Sequence, residues 1–273
     1  MTTVEPVNRI LPGTPEFTDL LTQIRLGAKD RDLNDENPFD QVNALKRAGF
    51  GTLRLPSDLG GSNFTVRQLF FDCHRRRHRR SDCGAYLPDS LLVCRGAAPH
   101  PLPASVTAVA DQGGRRSHRG QRLQREGIER RRSLVFNTRL LPVPGGYRLT
   151  GEKYYSTGTL FADYLTVTAT TDHDSVATVI VPADRDGGVR LVDDWDGFGQ
   201  RRTGTGTTVF TSVDVAEDEI LADSPYDAEP VPTVQYAALQ LYIHAVVAGV
   251  LQTIVEDGAD LLRSRTRSFS TRC

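Results

Sequence analysis

The sequence predicts an α+β protein, and three observations carry that prediction. Apolar residues recur at helical spacing between Pro15 and Phe71, they alternate with period two from Leu134 to about residue 222, and a long apolar run of helical character fills 233–263. Helices before and after an alternating block, with no strand–helix repeat, place the strands in an antiparallel sandwich or barrel rather than a parallel sheet.

In the first block Phe17, Leu20, Leu21, Ile24 and Leu26 mark one helix. Phe39, Val42, Leu45 and Phe50 mark a second, which stops at Gly49 or Gly51. LRLPSDLGG then reads as an extended piece, a proline turn and a glycine loop at Gly60 and Gly61, with a new helix starting near Thr65. The predicted N-terminal helical domain is partial and covers 1–72.

Residues 73–133 break the pattern. Fourteen of the thirty arginines but only five acids lie there, which leaves the remainder of the chain at −10, nineteen basic residues against twenty-nine acidic. The block has four of the six histidines, no lysine and only short apolar islands. Such a composition cannot bury enough apolar area to offset the entropy of ordering it, and a loop of this length inside a compact domain conflicts with ordinary loop statistics. With three lysines in the whole chain, Lys29, Lys46 and Lys153, the coding is read as G+C-rich. A compensated frameshift over 73–133 is the preferred explanation of the block.

From Leu134 the alternation is regular. LVFNTRLLPV and YRLTGEKYYST flank a turn at Pro144, Gly145 and Gly146; ADYLTVTATT, SVATVIVPA, GVRLV and TTVFTSVDV supply further strands. This gives a β-domain over 134–222. After DSPYDAEPVP the segment 233–273 opens a C-terminal helical domain. Gln235, Gln240, His244 and Gln252 interrupt its apolar run, which predicts a helix buried in a bundle rather than a membrane span.

Composition narrows the function classes. A formal charge of −1 and 38% apolar residues suit a water-soluble chain, and no apolar h-region follows the first ten residues, so a cytoplasmic location is expected. Cys73, Cys83, Cys94 and Cys273 form no C-x-x-C pair. The cluster Cys73, His74, His78 and Cys83 has only the two histidines at i, i+4, so no metal is expected. The basic block lacks aromatics beyond Tyr86 and any recognition register, so no nucleic-acid partner is expected.

The phrases ALKRAGFGTLRLPSDLGG, GEKYYSTGTLFADYL and GQRRTGTGTTVFTSVDVAEDEIL, in this order, resemble the acyl-CoA dehydrogenase superfamily, and within it the flavin-dependent monooxygenase branch that includes the dibenzothiophene desulfurisation enzymes. The resemblance covers roughly three quarters of the chain. It implies a flavin, FMN or FAD, at the family's G-x-K-x-aromatic-x-Thr phrase, which falls on Gly151, Lys153, Tyr155 and Thr157. By that resemblance Tyr155 lies against the flavin ring and Thr157 bonds near its N5 and O4 edge, with Ser156 and Gly158 allowing close backbone approach. Independently of family, a flat ring with polar edges needs a stacking face and donors where charge develops on reduction. Arg201, Thr203 and Thr205 are candidates for the vicinity of substrate or cofactor, although a solvated turn with a structural arginine is the favoured reading of this phrase. No catalytic residue is assigned.

The resemblance further implies a small-molecule substrate, a separate flavin reductase for a monooxygenase, and a homotetramer for the intact family. The chain departs from the family in two places. GGRRSHRGQRLQREGIERRR stands where a first strand and an acidic, Ser/Gly-rich loop are expected, and the remaining C-terminal helices are missing, so the chain reads as truncated. Three readings follow: a monooxygenase using reduced flavin and oxygen, an FAD-dependent acyl-CoA dehydrogenase, or an inactive remnant of such an enzyme. Dehydrogenation requires a positioned base, and the apolar C-terminal helix carries no carboxylate before Glu256.

Overall fold

The computed structural model describes residues 10–68, 136–173, 175–199, 201–225 and 234–265. The Arg-rich segment 73–133, its frameshift reading, its Cys/His cluster and Cys273 lie outside the described residues.

The helical lobe begins with α1 (Pro15–Arg25), which Thr14 caps by accepting the Phe17 amide at 3.2 Å, with Pro15 at a position that needs no amide donor. A short α2 (Ala28–Leu33) follows, and it was not legible in the sequence because none of its side chains is buried. α3 (Phe39–Arg47) ends at Gly49, whose φ of 79° lets the chain turn into a 3-10 turn at Phe50–Thr52. Phe50, which the pattern assigned to the second helix, sits in that turn and stacks on Phe17 with ring centroids 5.3 Å apart. Ile24, Leu45, Ala48 and Leu53 complete this small core. At Thr65 a helix starts as the sequence predicts, through a reciprocal cap: Gln68 N donates to Thr65 Oγ1 at 3.1 Å and Thr65 N to Gln68 Oε1 at 2.9 Å.

The β-lobe is one seven-stranded sheet. Its strands are β1 (Arg139–Val143), β2 (Gly146–Ser156), β3 (Tyr164–Thr170), β4 (Ser175–Pro182), β5 (Val189–Val192), β6 (Gly206–Val215) and β7 (Ile220–Pro225), in the order β5-β6-β2-β1-β3-β4-β7. All neighbours are antiparallel except β1 and β3, which meet in parallel at Arg139 and Thr170. That step exists because the chain leaving β2 crosses the end of β1 to start β3. The crossing is residues 157–163, so the Thr157–Gly158 phrase lies at the sheet's end.

Inward-facing residues of β1, β2, β3, β4 and β6 form one cluster around Leu140, Leu149, Leu165, Val179, Phe210 and Val215. Leu191 of edge strand β5 and Ile220 of edge strand β7 both pack on it, so the single sheet curls around its own core instead of splitting into two. At Gly151 the β2–β6 register shifts and the backbone passes close to the chain entering β1. The Gly151 φ is 134°, and a Cβ there would lie 2.3 Å from the Asn137 carbonyl oxygen.

The last element is α4 (Val234–Ser264), within a residue of the helix read from the sequence. Tyr242 and Ala245 pack on the α1–α3 core. Ile243, Val247, Val250, Leu251, Ile254, Val255, Leu261 and Leu262 are exposed, in contrast to the buried bundle helix that the apolar run predicts. No helix among the described residues is long and apolar enough to cross a membrane.

Candidate functional site

β2 does not run straight to its end. Between the pairs Lys153↔Thr208 and Ser156↔Gly206 it carries two residues against one on β6, a bulge at Tyr154 and Tyr155. Tyr155 takes the left-handed conformation, with φ of 59°, which a bulky side chain seldom adopts and which costs on the order of 1–3 kcal/mol. The bulge turns its ring out of the sheet, where it is 71% exposed. Without it the side-chain alternation would carry straight on.

Trp195, the one tryptophan in the sequence, meets that ring edge-on, with centroids 5.9 Å apart and planes at 84°. Its own position is fixed twice. Nε1 donates to the Gly199 carbonyl at 2.9 Å, and the indole lies so close to Gly197 that a Cβ there would be 2.2 Å from it. Asp194 anchors the start of this loop to β6 by accepting Thr207 N at 2.8 Å and Thr207 Oγ1 at 2.6 Å.

Two residues beyond Tyr155 a row of three hydroxyls begins at Thr157. Thr205 Oγ1 donates to Thr157 Oγ1 at 3.1 Å, and Thr203 and Thr205 hydroxyl oxygens are 2.6 Å apart. A hydroxyl has one proton. Thr205 gives its proton to Thr157, so Thr203 donates to Thr205, and the Thr157 proton has no acceptor among the described residues. The row therefore leaves a donor at the half-buried Thr157, two residues along the chain from Tyr155. Gly158 N donates to the Thr203 carbonyl at 3.0 Å and so ties the two strands of this site together.

The residues named from sequence thus divide. Thr157, Thr203 and Thr205 come together through their hydroxyls, and Tyr155 meets Trp195. Gly158 has φ of 81° and allows the tight turn, but spends its amide on Thr203. Ser156 is buried, its hydroxyl turned inward to the Lys153 carbonyl at 3.4 Å. Arg201 leaves the ring site and pairs with Asp32 of α2 at 3.3 Å, while its neighbour Arg202 pairs with Asp35. Trp195 was not singled out. An isolated tryptophan in an Asp/Gly loop has no periodicity to betray it, although its rarity in the chain was a usable signal.

The helical lobe holds both this loop and the crossing at 157–163. Asn37 Nδ2 donates to Asp193 Oδ2 at 2.7 Å, the Phe39 ring packs edge-on against Phe161 at 5.0 Å, and Lys46 reaches both the Phe161 carbonyl and Asp163. No group of His, Cys, Asp or Glu that could hold a metal ion occurs among the described residues. A solvent-facing aromatic ring, a second ring at right angles and a hydroxyl proton not taken up within the threonine row suit a planar heterocycle with acceptor atoms on its edge, as a flavin is.

A helical lobe, a curled sheet and a long helix returning to the helical lobe make up the acyl-CoA dehydrogenase-like fold. Within that fold the chain is similar to flavin-dependent monooxygenases. A dibenzothiophene monooxygenase from Mycolicibacterium goodii is 29% identical over 136 residues, 46% of this chain and 32% of that protein. One from Rhodococcus erythropolis is 37% identical over 82 residues, 28% and 19% of the two chains. Among solved structures, TdsC from Paenibacillus sp. A11-2 with FMN and indole superposes with a TM-score of 0.72 at 22% identity, over 93% of this chain and 65% of that one. KijD3 with FMN and a dTDP-linked amino keto sugar superposes with 0.70 at 20% identity, over 97% and 68%. The sequence matches thus span about a third of the length of the first two relatives or less. No family model matches the chain.

Proposed function

We propose that this chain is the flavin-facing part of a monooxygenase that uses reduced FMN, supplied by a separate reductase, and oxygen to oxidise a small organic molecule in the cytoplasm, as a homotetramer. The observation that carries the reading is the bulge that turns Tyr155 outward immediately before Thr157. Tyr155 would hold the ring face and Trp195 would fix the Tyr155 ring from its edge. Thr157, supplied with a bond by Thr205, would donate to the ring's acceptor edge, where negative charge grows on reduction. When bound, the flavin supplies the two electrons that activate oxygen. With the Thr205 proton given to Thr157, the Thr157 proton would be left for the ring.

Dehydrogenation next to a thioester needs a carboxylate base. α4 carries no carboxylate before Glu256, which favours oxygen transfer over proton abstraction.

The test is direct. FMN titrated into the purified chain is expected to quench Trp195 emission, and Tyr155→Ala or Thr157→Val to weaken that binding. Quenching that is identical in all three proteins would remove the flavin assignment. With chemically reduced FMN, ¹⁸O₂ and aromatic heterocycles as probes, ¹⁸O in a product marks a monooxygenase. Binding without incorporation would leave a flavin-binding remnant.

A further inference from the structure

The contact between Lys46 and the turn that follows Thr157 belongs to the helical lobe, yet it lies one step behind the flavin-facing hydroxyls. Lys46 Nζ donates to the Phe161 carbonyl at 2.6 Å and to Asp163 Oδ1 at 2.8 Å, and the ammonium and carboxylate are both shielded, with side chains 23% and 38% exposed. The carbonyl it meets ends the single 3-10 turn Thr159–Phe161, where backbone oxygens lack partners within the turn. Phe161, held this way, fills the space against Gly204. A Cβ on Gly204 would lie 2.5 Å from the ring, and Gly204 has the left-handed φ of 64°. Gly204 separates Thr203 from Thr205. Two amides lock the same joint, Gly158 N to Thr203 O at 3.0 Å and Leu160 N to Gly204 O at 3.4 Å.

We infer that Lys46 is a positioning residue for the Thr157–Thr205 hydroxyl pair, acting through Phe161 and Gly204. The inference rests on the flavin reading for its consequence, though not for its geometry. The chain of contact is contiguous: ammonium to carbonyl, ring to glycine, glycine to the two threonines. Lys46 touches neither hydroxyl nor ring site. Its effect is to make the turn after Thr157 and the loop before β6 a single rigid unit docked on α3.

Two readouts separate this role from plain stability. The first is amide exchange followed by NMR on the full chain without flavin. Lys46→Met is expected to lower protection at Gly158 and Leu160 by about tenfold while leaving core amides such as Val167 and Val179 unchanged. Lys46→Arg, which keeps donors for both oxygens, is expected to restore it, and Asp163→Asn serves as a milder break if Lys46→Met does not fold. The control is Arg185→Met. Arg185 bonds Asp214 and Glu219 at the opposite end of the ten-residue β6, so this change loses a comparable ion pair without touching the joint. An even loss of protection at all amides in Lys46→Met, or none at Gly158 and Leu160, would overturn the inference.

The second readout is the FMN dissociation constant from Trp195 quenching, expected to rise about tenfold in Lys46→Met and to stay at the parent value in Arg185→Met. If FMN leaves Trp195 emission unchanged in the parent, the flavin reading fails, and the exchange result still decides the role of Lys46.

Discussion

Tyr155 and Trp195 meet edge to face at 84°, with 5.9 Å between ring centroids, and the backbone of Tyr155 is left-handed to make that meeting possible. An aromatic pair of this geometry contributes about 0.5–1.5 kcal/mol. The left-handed backbone costs as much or more, about 1–3 kcal/mol. The pair therefore adds little net stability, and its value lies in the exposed ring face that it presents.

That balance predicts an order among substitutions at position 155. Tyr155→Ala loses the ring contact and keeps the backbone strain, whereas Tyr155→Gly loses the contact and the strain together. Glycine is expected to be more stable than alanine by about 1 kcal/mol in urea unfolding, although glycine is the poorer residue almost everywhere else in a strand. Both are expected to bind FMN more weakly than the parent. An alanine variant as stable as the glycine one would show that residue 155 carries no left-handed strain.

The hydroxyl row predicts coupling. Thr205 is buried, so Thr205→Val leaves Thr203 and Thr157 each short of a partner at a cost of about 1–3 kcal/mol. Thr157→Val removes one acceptor of the Thr205 proton, which can turn to Thr203, for a smaller loss. In a double-mutant cycle by thermal unfolding, the pair is expected to show a coupling of about 0.5–1.5 kcal/mol. Strict additivity would mean that the two hydroxyls do not share a bond.

Most of the fold was legible because burial writes a period into sequence. β3 shows it in pure form, with Leu165, Val167 and Ala169 buried and the residues between them half-exposed. α2 was invisible for the complementary reason, since a helix that buries nothing imposes no pattern. At the site, Tyr155 and Thr157 were readable through the family phrase, and Thr203 and Thr205 through their place in the second one. Trp195 came into contact with Tyr155 only by tertiary folding across some forty residues, a relation that local spacing does not encode. For Arg201 the sequence left two readings, a group near substrate or cofactor and, the favoured one, a structural arginine on a solvated turn, and its pairing with Asp32 accords with the second. Along α4 the apolar run was plain, but its exposed side chains show that the period gives the helix and not what covers it.

A third prediction concerns the far end of the sheet. Arg185 spans the β4–β5 loop to Glu219 and the Asp214 carbonyl, and Glu219 also accepts the Ala216 amide at 2.9 Å. Both charged side chains are mostly buried, so Arg185→Met leaves a shielded carboxylate without its partner. A loss of about 1–3 kcal/mol by urea unfolding is expected, with the Trp195 emission spectrum unchanged. A shift in that spectrum would mean that β6 transmits changes along its length.

The last prediction tests whether Phe161 and Gly204 share one volume. Gly204→Ala places a methyl 2.5 Å from the Phe161 ring on a backbone with φ of 64°. The conformation costs about 1–2 kcal/mol and the overlap about 1–3. Phe161→Leu alone loses the edge contact with Phe39, centroids 5.0 Å apart, and opens space beside Gly204. In the double variant the methyl occupies that space, so the overlap cost vanishes while the backbone cost remains. The double variant is thus expected to be more stable than the sum of the two single losses predicts, by about 1–2 kcal/mol in thermal unfolding. It is also expected to recover part of the protection of the Leu160 amide, because that amide bonds to the Gly204 carbonyl. Simple addition of the two losses would mean that the ring moves aside when the methyl arrives, and the joint between the turn after Thr157 and the loop before β6 would then be softer than its packing indicates.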